Sequence, residues 1–199
     1  MLFRVLVASV VMLIFSNPAH ANITFVTSAS GAEERPTPVN TPGIASVSAL
    51  HDQSFGTLAF EATFSGLTSS VTGAHIHCCA TSTDANAGIA IDLEKLGFPI
   101  GVTSGSSVRT IQLNESSTYE FDFLAENSGD PIEAHGQLAS AMKGTRLGVG
   151  VAYLHIHTTM HPEGELRGNF APFTDVPEPS TLLLLVCSAA GLYTTRRFR

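Results

Sequence analysis

The chain has 199 residues, 44% of them hydrophobic, no tryptophan and a formal net charge of −7. Between Asn22 and Val176, six Lys or Arg face sixteen Asp or Glu, which leaves −10. So acidic a body excludes a nucleic-acid binder, which needs basic patches to neutralise phosphate, and it suits cations at its surface.

Residues 1–21 have the order of a secretory signal peptide. Arg4 gives the positive n-region, Val5 to Phe15 the apolar core, and Ala19-His20-Ala21 the small-x-small cleavage site. Cleavage there starts the mature chain at Asn22. An uncleaved anchor helix is the alternative reading.

Strands are expected first at Ile23 to Ser28 and Ile44 to Leu50. In Thr57 to Phe64, Leu58, Phe60, Ala62 and Phe64 fall on one face and Thr57, Glu61 and Thr63 on the other, the mark of a half-buried strand. Val71 to His77, Ile89 to Leu93 and Val108 to Leu113 follow. Tyr119, Phe121 and Phe123 alternate with Glu120 and Asp122 in the same way, so they read as a strand too. Ile132 to Met142 is the one helix expected, and Gly136 weakens it. Leu147 to His157 and Leu166 to Phe170 complete the series. Gly, Ser, Asn and Pro separate these runs at short intervals. Many short strands argue for an all-β fold, an antiparallel β-sandwich or Greek-key barrel with one short helix. A single domain over 22–176 is large enough to bury a core.

Two of these strands end in the same tripeptide, His75-Ile76-His77 and His155-Ile156-His157. Side chains alternate faces along a strand, so each tripeptide presents two imidazoles on one face and an isoleucine on the other. Were the strands neighbours, His75, His77, His155 and His157 would converge as ligands for copper or zinc, with His161 and His135 as possible additions. The competing reading has these rings hydrogen-bonding strand ends and loop carbonyls.

Cys78 and Cys79 follow His77 directly. A disulfide between them is the first expectation for an exported chain, with pairing to another chain and metal ligation as alternatives. Glu165 and Arg167 share one face of a strand, as a structural pair or as two separate contacts that pin a loop across the sheet end. Glu33 and Glu34 lie beside prolines and read as solvated carboxylates. No Gly-x-Ser-x-Gly elbow, His-Glu-x-x-His helix or phosphate-cradling glycine loop occurs, so no catalytic residue is assigned.

At the C-terminus, Val176-Pro177-Glu178-Pro179-Ser180 precedes an apolar stretch from Thr181 to Tyr193 and then Arg196-Arg197-Phe198-Arg199. The stretch is short against the ~20 residues of a spanning helix, and the arginines favour the cytoplasmic side. This order resembles the PEP-CTERM sorting signal of Gram-negative bacteria over 177–199, with Pro177, Glu178 and Pro179 as its motif and Cys187 inside the tail. The resemblance implies transient inner-membrane association, an exosortase-type processing enzyme as partner, and a cell-surface or extracellular destination. A plain C-terminal anchor is the alternative.

Ser30-Gly31-Ala32-Glu33-Glu34, Phe64-Ser65-Gly66-Leu67, Ala74-His75-Ile76-His77 and Pro162-Glu163-Gly164-Glu165-Leu166-Arg167-Gly168 resemble the CHRD domain, over roughly Ile23 to Phe170. The chain departs from the family at Arg35, where an apolar residue is common, and at His155, where Asn is common. The resemblance carries no bacterial activity with it. It implies at most protein binding, by way of chordin's antagonism of growth factors. The expectation is a secreted, surface-sorted, non-catalytic adhesion or matrix component, associated with extracellular polysaccharide or surface proteins. The alternative is an exported copper- or zinc-binding protein, redox-active or not, built on the two His-Ile-His elements.

Overall fold

The computed structural model describes residues 22–144 and 148–173. The expected leader 1–21, the sorting motif Pro177, Glu178 and Pro179, and Cys187 lie outside the described residues, as does Leu147 at the start of one expected strand. Among the described residues no helix is long and apolar enough to cross a membrane.

The strands are β1 (Ile23–Ser30), β2 (Ile44–Asp52), β3 (Thr57–Ser65), β4 (Val71–His77), β5 (Ile89–Asp92), β6 (Gly105–Gln112), β7 (Tyr153–Thr158), β8 (Leu166–Asn169) and β9 (Ala171–Pro172). They form one sheet in the order β5-β4-β7-β8-β1-β2-β3-β6, with β9 beside β1. The recorded pairings are antiparallel. The all-β expectation holds, and its form is a single curled half-barrel.

Local sequence explains the central strands. In β2 and β3 buried and exposed residues alternate without a break, as the period of two requires when one face packs on a core. Their connection is shaped by Asp52, whose Oδ1 accepts from the backbone N–H groups of Ser54 and Phe55 at 2.9 and 3.1 Å. Gly56 closes the turn at φ +62°, in the left-handed region that favours glycine.

β4 and β7 differ, because both of their faces are covered. Ala74, Ile76, Leu154 and Ile156 are 0–1% exposed and belong to the hydrophobic core. The alternate residues on these strands are the histidines, so they stand on the face opposite that core. β7 starts at Tyr153, later than the sequence suggests, because Gly148 to Ala152 carries no strand ladder.

The expected helix is α2 (Pro131–Lys143). The Asp130 side chain accepts from Ile132 N, Pro131 occupies the first turn, and Gly144 ends the helix at φ +72°. Gly136 meets nothing within 4 Å of an added Cβ, so it costs propensity and no packing. Ala134, Leu138, Ala141 and Met142 add to the core.

One expectation fails. Phe121 to Glu126 is not a strand but a short helix, α1. The alternation of Tyr119, Phe121 and Phe123 is real, but consecutive odd residues lie about 200° apart on a helix. Phe123 therefore turns into the core, 3% exposed, and Phe121 turns out, 82% exposed. Tyr119 stays anchored before the helix by donating its hydroxyl to Leu113 O at 2.8 Å.

Candidate metal centre

β4 and β7 are hydrogen-bonded neighbours, and the Cα register sets His75 opposite His155 and Gly73 opposite His157. Paired residues in a sheet project to the same side, so the four imidazoles share one face. Their ring centroids form a tight group. His75 lies 4.9 Å from His157, His155 lies 4.2 Å from His157 and 5.2 Å from His77, and His75 lies 5.7 Å from His77. Gly73 makes room, since a Cβ there would meet His75 Cε1 at 3.3 Å.

The hydrogen bonds of the rings decide which nitrogens are free. His77 Nδ1 is 2.9 Å from Ala87 O, and His157 Nδ1 is 2.9 Å from Pro162 O. A carbonyl only accepts, so in both rings Nδ1 carries the proton and Nε2 keeps its lone pair. Both Nε2 atoms are buried and without a partner, as are Nδ1 of His75 and Nδ1 of His155. One ring nitrogen from each of His75, His77 and His157 lies within 4.8 Å of the others. An ion bound at ~2.0–2.1 Å draws such nitrogens in by at most ~1.5 Å.

His155 stands beside this trio. Its Nε2 is 3.0 Å from Oε2 of Glu34, whose other oxygen, Oε1, is buried with no partner. The expectation that Glu34 is solvated is corrected. Glu33 is exposed, but Glu34 is 3% exposed and lies under the turn that follows β1. Burial pushes the Glu34 carboxyl up to about 7 against the opposing pull of Arg167.

Burial also keeps the rings neutral. It lowers His75 to about 4, helped by His157, and lowers His77 and His155 to about 3. A ring that stays unprotonated at neutral pH keeps its lone pair for a metal. At the outer side of His75, Glu94 Oε1 is 3.7 Å from Nε2, and His75, Asp92 and Glu94 form a second close group.

The walls are firm. Tyr153 stacks on His77 with ring planes 2° apart and centroids 4.8 Å apart, and Arg167 covers the other ring partner with its Cζ 3.7 Å from the Tyr153 centroid. Arg167 is 1% exposed and donates to Asn86 Oδ1 at 2.5 Å, Thr83 O at 3.1 Å and Ala85 O at 2.7 Å. It thereby holds the loop that carries Ala87 against His77. Glu165 is fully buried and accepts from Thr41 Oγ1, Thr68 N, Thr68 Oγ1 and Thr158 Oγ1 at 2.6–2.9 Å. Burial alone would raise its pKa, but these hydrogen bonds outweigh it and the net shift is downward. Among the described residues no ion pair joins Glu165 to Arg167. They make two separate contacts that pin loops, one of the two arrangements the sequence allowed.

Two histidines stand elsewhere. His161 sits in the turn after β7, where its backbone bonds to Thr158 and Gly164. His135 lies on α2 against His51. Cys78 and Cys79 are joined as a disulfide, and Cys78 lines a cavity with Glu120, Asp122 and Glu126. Sequence reasoning missed Glu34, Asp92, Glu94 and Tyr153 at this site. The signals for them were the place of Glu34 in the Ser30-Gly31-Ala32-Glu33-Glu34 block and of Tyr153 two residues before His155.

The CHRD domain family model matches residues 25–170. No curated protein and no solved structure matches the chain.

Proposed function

Because this chain belongs to the CHRD domain family, whose fold fixes no activity, we propose from its own side chains that it is an exported protein that binds copper or zinc. The observation that carries this reading is the convergence of one ring nitrogen from each of His75, His77 and His157 within 4.8 Å, in a group of four rings, His155 included, each of which has one buried nitrogen without a partner. Unpaired buried polar atoms are rare and costly, and four of one chemical type in one place match the donor set of a late transition metal. His75, His77 and His157 would hold the ion. His155, tied to Glu34, would stand as the adjacent fourth ring. The carbonyls of Ala87 and Pro162 would orient two ligands through their far nitrogens, as outer partners do at metal centres. When bound, the ion would supply a Lewis-acid or redox centre.

Export through residues 1–21 and surface sorting through Pro177, Glu178 and Pro179 belong to the same proposal, with an exosortase-type enzyme as processing partner. A non-catalytic adhesion or matrix role in contact with extracellular polysaccharide is the second setting, supported by the paired targeting ends. The metal reading leads because it rests on positioned side chains.

The test is elemental analysis and calorimetric titration of the purified protein with zinc(II) and copper(II). About one equivalent held by His75, His77 and His157, and lost in His77→Ala, supports the proposal. Equal uptake by the wild type and by a His75→Ala, His77→Ala, His157→Ala variant removes it.

A further inference from the structure

The described chain enters and leaves the sheet at the same end. Ile23 at the start of β1 lies opposite His51, and Thr24 lies opposite Leu50. β9 runs along the other side of β1 with Phe25 opposite Pro172, and Phe173 N donates to Thr24 O at 2.7 Å. Leu50, Thr24 and Phe173 thus form one row across three neighbouring segments, and residues paired in this way project to the same side.

The row is apolar where it meets solvent. Leu50 is 40% exposed and Phe173 is 56% exposed. The turn from β2 to β3 adds Phe55, 75% exposed, whose backbone is held by Asp52 Oδ1 and by Asn114 Nδ2. Ile132, also exposed, stands in the first turn of α2 and lines a cavity with Gln53 and Asn114, which places it at this end too.

The sequence on either side supplies the occupant. Seven residues, 174–180, separate Phe173 from the apolar stretch that starts at Thr181. Fully extended, they reach about 25 Å. Six residues, 16–21, separate the apolar run ending at Phe15 from Asn22. Both apolar stretches therefore tether the same end of the domain. We propose that this end is a lipid-docking surface, in which Phe55, Phe173 and Leu50 enter the headgroup boundary of a bilayer that holds the tail. The inference rests on the sorting-tail reading of the C-terminus. A few apolar side chains alone bind a bilayer only marginally, but a short tether raises their effective concentration into the millimolar range. Docking is thus a property of the anchored protein.

Charge selects the lipid. Asp52 and Glu115 flank the Phe55 turn, Asp130 and Glu133 flank Ile132, and Lys143 is the cation lining the cavity there. Zwitterionic headgroups suit such a rim, and anionic ones are repelled at low salt. The orientation has a consequence for the metal centre. His155 pairs with Arg167, and Arg167 pairs with Ser30 at the far end of β1, so a docked domain carries its histidine cluster on the side away from the bilayer.

The chain has no tryptophan, so single substitutions report position. The full chain is bound to phosphatidylcholine vesicles with brominated acyl chains, and flotation with the vesicles reports the tether. Emission of Phe55→Trp and of Phe173→Trp should shift to the blue and be quenched several-fold more than that of Met160→Trp. Met160 is 66% exposed beyond the end of β7 that points away from β9, and so serves as the distant control. Phosphatidylglycerol in place of phosphatidylcholine should weaken the quenching, and salt should restore it. Phe55→Ser should reduce the quenching of Phe173→Trp. Flotation without quenching at either phenylalanine position, or with equal quenching at all three, overturns the docking surface and leaves the tail reading intact. Absence of flotation removes the tail reading and the docking surface with it.

Discussion

Glu34 and His155 are 121 residues apart in the chain, yet Oε2 of one lies 3.0 Å from Nε2 of the other, beneath the surface. The contact links the turn after β1 to the strand that carries half of the histidine cluster. It orients the His155 ring with Nδ1 unpartnered. Replacing the carboxyl by Glu34→Gln keeps the shape and removes the charge that fixes the ring. If His155 joins His75, His77 and His157 on the ion, metal affinity falls by about 10- to 100-fold, the usual loss when the outer partner of a ligand is changed. Competition titration with a zinc chelator measures it, and unchanged affinity would show that His155 contributes nothing to the site.

Removal of metal should expose the pH dependence of the bare cluster. Depressed folded-state pKa values, to about 4 for His51 and His75 and about 3 for His77 and His155, mean that the unfolded chain takes up protons that the folded chain refuses. Stability from these groups is full above about 6.5 and drains away as pH falls toward 3. Glu34 works in the other direction. Its folded pKa is raised from 4.5 to about 7, so its contribution is full below 4.5 and is lost as pH rises through 7. Denaturant midpoints in chelator should therefore fall on acidification from pH 6 to pH 4. Glu34→Gln should flatten the opposite slope between pH 5 and pH 7.

Gly164 is where the turn after β7 passes the same pair. Its φ is +133°, and a Cβ there would overlap His155 Nε2 and sit 2.9 Å from Glu34 Oε2. Gly164→Ala should cost about 2–3 kcal/mol from backbone strain and overpacking, with loss of metal affinity in step. Urea unfolding and zinc titration of one preparation read both. A stable variant with intact zinc binding contradicts the assigned packing.

Glu165 should be a purely structural anchor. Glu165→Leu strands one backbone N–H and three hydroxyls that now donate to the carboxylate, at a cost of about 3 kcal/mol. Arg167→Lys loses the fork that reaches Asn86, Thr83 and Ala85. It should cost about 2 kcal/mol and loosen the Ala87 carbonyl from His77. The two variants thus separate: Arg167→Lys weakens zinc binding by more than its loss of stability explains, and Glu165→Leu does not.

The alternation from Leu58 to Phe64 and the spacing of His75 with His77 and His155 with His157 were legible in the sequence, because strand periodicity is a property of the backbone over a few residues. That same locality limits it. The alternation of Tyr119, Phe121 and Phe123 fits a strand equally well, and packing of Phe123 into the core with solvation of Phe121 is what makes the segment a helix.

An acidic β-rich body with two pairs of same-side imidazoles is what the amino-acid order determined by itself. The register that sets His75 against His155, the burial of Glu34 and the meeting of His51 with His135 were decided by tertiary structure. Strand neighbours and covering turns are chosen by core burial over the whole chain, and contacts between residues 80 to 121 positions apart leave no periodic trace in the local sequence.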